Sequence, residues 1–263
     1  MFGIFKGLDK LLSAEVENID IYNKNEDKNN KSVAKKALEP KDVLYLKDYE
    51  CPVCKNMFKN STVKLRTTKY IRSDTDLKMY HEPLDPMYYD VIFCTNCGYA
   101  AISKQFAKLT AKQEELIKDR IMKNFKPTEY PLVLSLDQAI ERYKMALFNT
   151  IVKKGKDGEK AYLCLKLAWL YRDKGDEKLE RECIENSIHG FTEAFPKEDF
   201  PICGLEIHTL TYILADLSRR TGDDKKCLQY LGSIIVDRSA NTRIKDKARM
   251  LKDMIKTDST EKK

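Results

Sequence analysis

Two cysteine pairs carry the clearest chemistry in this 263-residue sequence: Cys51-Pro52-Val53-Cys54 and Cys94-Thr95-Asn96-Cys97, with 39 residues (55–93) between them. A Cys-x-x-Cys turn places two sulfurs close enough to share one ion. Two such turns supply four thiolates in a tetrahedron, which suits zinc. Four protein ligands close the coordination shell, whereas a catalytic zinc keeps a position for water or substrate, so the expected cofactor is one structural Zn²⁺ held by Cys51, Cys54, Cys94 and Cys97. The gap is longer than in compact zinc modules, but closing a longer loop costs only slowly more. The competing readings are a redox Cys-x-x-Cys, which needs one pair in a βαβ setting, and unrelated core thiols. His81 lies between the pairs and reads as a loop residue. Cys164, Cys183, Cys203 and Cys227 stand singly in helical segments and read as small buried hydrophobes.

A second chemical feature is the charge beside the first pair. Residues 51–72 hold Lys55, Lys59, Lys64, Arg66, Lys69 and Arg72 and no acid, a sum of +6; residues 73–90 sum to −4. A basic face with Phe58 or Tyr70 available for stacking would suit nucleic acid. The alternative is that the two runs neutralise each other across a sheet. Arg72-Ser73-Asp74-Thr75-Asp76 brings two carboxylates together, but acid–base chemistry needs a pocket and shifted pKa values. Loop capping, or an ion pair with Arg72, is the expected role. No Gly-rich phosphate loop, HExxH or GxSxG motif occurs.

The cysteine pairs must be positioned by strands. Residues 61–65 (STVKL) alternate as a half-buried strand does, and Met87–Phe93 is a second β-rich run after Asp85-Pro86. From Ser103 onward the pattern turns helical, with helices expected at about 103–125, 135–154, 158–174, 176–194, 203–221, 223–237 and 240–256. Pro127, Pro131, Pro196 and Pro201 mark breaks, and Gly175-Asp176 and Gly222-Asp223 read as tight helix–helix turns. Those turns lie 47 residues apart, as do Leu167-Ala168 and Leu214-Ala215, which points to an internal repeat. Ala139, Tyr143 and Ala146, like Leu167, Ala168 and Tyr171, are similar to tetratricopeptide helices, although the usual period is 34 residues. Trp169 is expected to pack between helices. Residues 243–256 are expected to cap the stack through Ile244, Ala248, Leu251 and Ile255.

The expected fold class is therefore α+β, mostly α: a leader at 1–45 with a short amphipathic start, a small β zinc ribbon at 46–102, a tetratricopeptide-like helical repeat domain at 103–258 and a disordered tail at 259–263. The apolar start (Phe2, Ile4, Phe5, Leu8, Leu11, Leu12) would pack on the chain's own body, or make a weak membrane-surface contact. No stretch approaches 18 apolar residues, so no transmembrane segment is expected. No signal peptide is visible, so the expected location is cytoplasmic, where thiols stay reduced. The net charge of +7 permits an anionic partner without demanding one.

The run YECPVCKNMF, then RSDTD, then DPMYYDVIFCTNCGYAA, then helices with Gly-Asp turns, resembles an uncharacterised bacterial family, domain of unknown function twenty-two twenty-five. The resemblance covers roughly residues 40–240. It implies a bacterial cytosolic protein with a zinc-ribbon-like front and a tetratricopeptide-like back, with the same four cysteines as metal ligands. Lys55 stands where Gly is common. The resemblance brings no activity. The expected function is a non-enzymatic zinc-binding adaptor or scaffold whose helical surface holds a protein or peptide partner; the alternative is nucleic-acid binding through the basic ribbon face.

Overall fold

The computed structural model describes residues 38–261, and the side chains of 38–257. The apolar start falls outside them. The chain from Leu38 onward forms one compact unit. It opens with a 3₁₀ turn, Pro40–Val43, followed by strands β1 (Leu44–Glu50), β2 (Met57–Val63), β3 (Lys69–Ser73), β4 (Met79–Glu82), β5 (Val91–Phe93) and β6 (Ala100–Ile102). Seven α-helices follow among the described residues: α1 (Ala111–Arg120), α2 (Leu136–Val152), α3 (Asp157–Lys174), α4 (Glu177–Ala194), α5 (Ile207–Arg220), α6 (Asp224–Val236) and α7 (Thr242–Glu261). The class is α+β, mostly α.

The strands make three antiparallel hairpins, β1–β2, β3–β4 and β5–β6. The first and third each carry a cysteine pair at their turn, and the second lies within the long gap between the pairs. β5 and β6 are buried on both faces. Ile92 and Ala101 point into one core with the four cysteines' neighbours Phe58, Tyr99, Phe106, Ile117, Ile121 and Val152. Val91, Phe93, Ala100 and Ile102 point the other way, into a core with Ala139, Tyr143, Leu163, Leu167 and Leu170. Side chains alternate faces along a strand. The β5–β6 hairpin therefore joins the cysteine core to the helical core across residue 102.

Several expected boundaries move. STVKL is not a half-buried strand: β2 ends at Val63, Leu65 is 92% exposed, and Arg66 takes a left-handed turn conformation. Met87–Phe93 splits into a 3₁₀ turn, Pro86–Tyr89, capped by the Asp85 side chain, and the strand β5. The helix expected from 103 starts at Ala111, because Thr110 and Gln113 form a reciprocal capping box there. The helix expected from 203 starts at Ile207, since Cys203 and Gly204 both have positive φ in a turn closed by hydrogen bonds between Ile202 and Leu205.

The two Gly-Asp turns share one geometry. Asp176 N donates to Tyr171 O at 3.0 Å and Gly175 N to Arg172 O at 3.1 Å; Asp223 N donates to Ser218 O at 2.9 Å and Gly222 N to Arg219 O at 3.0 Å. Each aspartate then caps the next helix, accepting from Leu179 N and Lys226 N. Gly175 and Gly222 have φ of 75° and 92° with open space where a Cβ would sit. Gly175→Ala and Gly222→Ala should therefore each cost only the left-handed backbone penalty, about 1 kcal/mol, read as a small shift of the denaturation midpoint with unchanged helix content.

Candidate metal centre

Each cysteine pair folds into the same small knuckle. Lys55 N donates to Cys51 O at 2.9 Å and Gly98 N to Cys94 O at 3.0 Å; Cys51 N donates to Asn56 O at 3.0 Å and Cys94 N to Tyr99 O at 2.8 Å. Residue five of each knuckle is left-handed, Lys55 at φ 61° and Gly98 at φ 76°. The lysine at the first knuckle thus keeps the turn that glycine makes at the second. A methyl at Gly98 would lie 2.5 Å from the Phe125 ring. Gly98→Ala is expected to destabilise by about 2–4 kcal/mol, combining backbone strain with overpacking. A chemical-denaturation curve that overlays the wild type would contradict this.

The knuckles meet face to face. The Cys51 and Cys97 sulfurs are 3.6 Å apart, those of Cys54 and Cys94 are 3.7 Å apart, and all four lie within 4.8 Å of one another. A tetrahedron with metal–sulfur bonds of about 2.3 Å has edges of about 3.8 Å. The cluster could therefore hold a metal ion at its centre. Cys51, Cys94 and Cys97 are buried, Cys54 is half-buried, and Asn96 Nδ2 donates to Cys54 Sγ at 3.6 Å. Hydrogen bonding to Cys51 and then Cys97 holds the Cys94 thiol far down, while sharing with Cys94 pushes Cys51 up and sharing with Cys51 and Cys94 pushes Cys97 up. Four thiolates at this spacing repel one another, and a divalent cation supplies the missing charge.

Helix α2 braces the centre from behind. Asn149 Nδ2 donates to Gly98 O at 3.0 Å. Arg142, fully buried, donates to Val91 O at 2.5 Å and to Asn60 Oδ1, so one side chain ties α2 to β2 and β5. Burial brings its guanidinium down to about 10. Tyr99 Oη donates to Phe106 O at 2.9 Å and closes the loop after β6.

The two charge runs meet only in part across a sheet, where Lys69 on β3 stands opposite Glu82 on β4. Arg72 makes the one direct ion pair between the runs, with Asp74 at 2.6 Å. Lys59 pairs with Asp48 and Lys55 approaches Glu114. Asp74 and Asp76 instead reach the helices. Asp76 is completely buried; Arg172 Nη2 donates to its Oδ2 at 2.7 Å, Arg172 Nη1 to its Oδ1 at 3.1 Å, and Trp169 Nε1 to its Oδ2 at 2.9 Å. Thr75 donates to Asp216 Oδ2 at 2.9 Å and accepts from Arg220 at 3.0 Å. Buried Lys78 pairs with Asp173 and donates to Trp169 O at 3.0 Å. The β3–β4 turn therefore bridges α3 and α5. Burial opposes the charge on Asp74 and Asp76, but hydrogen bonds outweigh it, from the Tyr80 hydroxyl, Arg172 and Arg72 for Asp74 and from Arg172 for Asp76. Both carboxyls are held below the usual carboxylate range.

Sequence reasoning missed this network. The signal was there, in two acids flanking a threonine and in Arg172-Asp173 ending a helix, but their pairing spans 96 residues. Phe58, expected to be available for stacking, is buried against Tyr49 and Phe106. Tyr70 is exposed and meets His81, which lies on β4 and not in a loop. Cys164 and Cys227 are buried and Cys183 and Cys203 half-buried; burial pushes their thiols up to about 11 for Cys164 and about 12 for the others. Ile244, Ala248, Leu251 and Ile255 line the core under α7.

No helix among the described residues is long and apolar enough to cross a membrane. A family model, DUF2225, described as an uncharacterized protein conserved in bacteria, matches residues 44–255. No curated protein and no solved structure matches the chain.

Proposed function

The chain belongs to this bacterial family, and from that premise we propose a function built on the site: a non-enzymatic, cytoplasmic adaptor or scaffold whose front is folded around one structural Zn²⁺ at Cys51, Cys54, Cys94 and Cys97. The near-tetrahedral four-sulfur cluster carries this reading. Soft thiolates in that geometry select zinc over hard cations, and four of them leave no coordination position for substrate. The ion pairs that keep Asp74 and Asp76 charged and engaged support a positioning role for them.

The partner is a protein or peptide. The ground between α3 and α5, which a helical-repeat protein would offer to a peptide, already holds the Thr75–Lys78 turn. The available surface is the strip running from the β2–β3 turn into β3, where Leu65, Tyr70 and Ile71 are exposed beside Lys64, Arg66 and Lys69. That composition fits an acidic segment with apolar anchors. The same exposed bases favour nucleic acid as the second reading.

The test is elemental analysis of the purified chain, followed by pull-down at near-physiological salt. One zinc per chain and a protein partner lost on reversing Lys64, Arg66 and Lys69 are expected. A chain with no metal, or one that captures only DNA or RNA with affinity falling steeply in salt, would overturn the respective half of the proposal.

A further inference from the structure

The four cysteines of the candidate centre are not equally sheltered. Cys51, Cys94 and Cys97 are 0% exposed, whereas Cys54 is half-buried. Asn96, an exposed residue of the second knuckle, donates through Nδ2 to the Cys54 sulfur at 3.6 Å. Asn96 also lines an open groove of about 720 Å³, together with Thr95, Asn56, Met57, Pro127 and Thr128. A small solute therefore meets the centre at one ligand, Cys54.

The sulfur contacts run between the knuckles. Cys54 Sγ lies 3.7 Å from Cys94 Sγ, and Cys51 Sγ lies 3.6 Å from Cys97 Sγ. The one ligand with exposed surface thus touches a buried sulfur of the opposite knuckle. A reachable thiolate beside a second thiolate is the arrangement that oxidises to a disulfide. A cation at the centre keeps its ligands deprotonated. Cys164, Cys183, Cys203 and Cys227 differ on both counts. They are free thiols with no second sulfur in contact among the described residues. Burial pushes them up to about 11 for Cys164 and about 12 for the others, which keeps them protonated and slow to react.

We propose that the centre is a peroxide-sensitive switch, in which hydrogen peroxide attacks at Cys54 and a disulfide between Cys54 and Cys94 replaces the metal. The switch rests on the reading of the four-sulfur cluster as a zinc site. The Cys54 thiolate sulfur attacks one peroxide oxygen; the O–O bond breaks, hydroxide leaves, and Cys54 becomes a sulfenic acid. The Cys94 thiolate then attacks the Cys54 sulfur, the S–S bond forms and a second hydroxide leaves. Two thiolates give up two electrons in all, the peroxide takes them, and two protons from solvent convert the hydroxides to water. Cys51 and Cys97 are left as the only thiolate ligands, fewer than the three or four that zinc sites use. The disulfide keeps β1–β2 tied to β5–β6, and reduction restores the ligand set.

The test uses the full chain, its zinc content fixed by elemental analysis, treated with hydrogen peroxide beside a chromogenic zinc chelator and compared with a peroxide-free control. Release of one zinc per chain with the loss of two thiols is expected. Peptide mass mapping without reduction should join Cys54 to Cys94, with Cys164, Cys183, Cys203 and Cys227 still reduced. Dithiothreitol with added zinc should restore the loaded chain. Asn96→Ala removes the donor that draws electron density from the Cys54 sulfur and should speed zinc release about two- to tenfold, with the melting curve in place. Zinc held at a peroxide concentration that oxidises glutathione, a disulfide within one knuckle, or release no faster in Asn96→Ala would overturn the switch. A chain that holds no zinc before peroxide is added would overturn the metal reading itself, and the switch with it.

Discussion

Stripping the metal with a strong chelator should unfold far more than the two knuckles. Apparent binding free energies of structural zinc are about 10–16 kcal/mol, while a whole domain is stable by about 5–15 kcal/mol. Loss of the ion is therefore comparable to the entire margin of the part that contains it. That part is defined by the core the cysteines occupy. Cys51, Cys94 and Cys97 share it with Phe58, Ile92 and Tyr99 from the hairpins, but also with Ile117 and Ile121 at α1 and Val152 at the end of α2. With the proposed ion removed, weak thiol contacts would stand in place of four metal–sulfur bonds, and α1 would lose the core that holds its single buried residue, Ile117. The helices α4, α6 and α7 pack in cores that contain no cysteine-knuckle residue. Hydrogen exchange should show amides of β1, β2, β5, β6 and α1 losing protection on chelation while α4, α6 and α7 keep theirs. Cys51→Ser and Cys97→Ser should reproduce the chelated state; Cys54→Ser, at the half-buried ligand, should be milder. Retained protection of β5 and β6 in a chain verified to be metal-free would refute this account.

The second large effect is expected at Asp76. Removing one partner of a buried ion pair leaves an uncompensated charge and costs about 3–5 kcal/mol. In Asp76→Ala the abandoned groups are the Arg172 guanidinium and the Trp169 indole N–H, with Arg220 3.7 Å away. Arg172 keeps Asp74 and Glu180, which places the loss toward the lower end of that range. A fall in Tm of about 6–15 °C follows for a chain of this size. Trp169 is the only tryptophan, so its fluorescence reports the release of the β3–β4 turn directly. The same network sets the acid limit. A carboxyl whose folded pKa lies below its unfolded value stabilises the fold fully above about pH 4, and that contribution is lost as pH falls through the lower folded value. Wild-type Trp169 emission should therefore change in acid as the turn detaches, and Asp76→Ala should show that emission already at neutral pH. An Asp76→Ala chain with wild-type Tm and emission would contradict the role assigned to the pair.

What the sequence determined by itself is local. A Cys-x-x-Cys knuckle closes through hydrogen bonds between residues a few positions apart, and so does a Gly-Asp turn. Spacing alone therefore marked the four sulfurs and the ends of α3 and α5. The apolar stripe of α7 was legible for the same reason, since one helix face is written at intervals of three and four residues. The tertiary structure decided which charges meet. A run of +6 followed by a run of −4 shows that partners are needed, but Coulomb attraction carries no sequence index: Asp76 turned to Arg172 and Arg220 on helices, and Asp74 is shared between Arg172 and Arg72. Nor does anything local mark Arg142 as buried: its guanidinium reaches Asn60 and Val91, 82 and 51 residues away. The four thiols could be matched to one another from their type and spacing; the charged and polar groups found their partners only once the hairpins had packed on the helices.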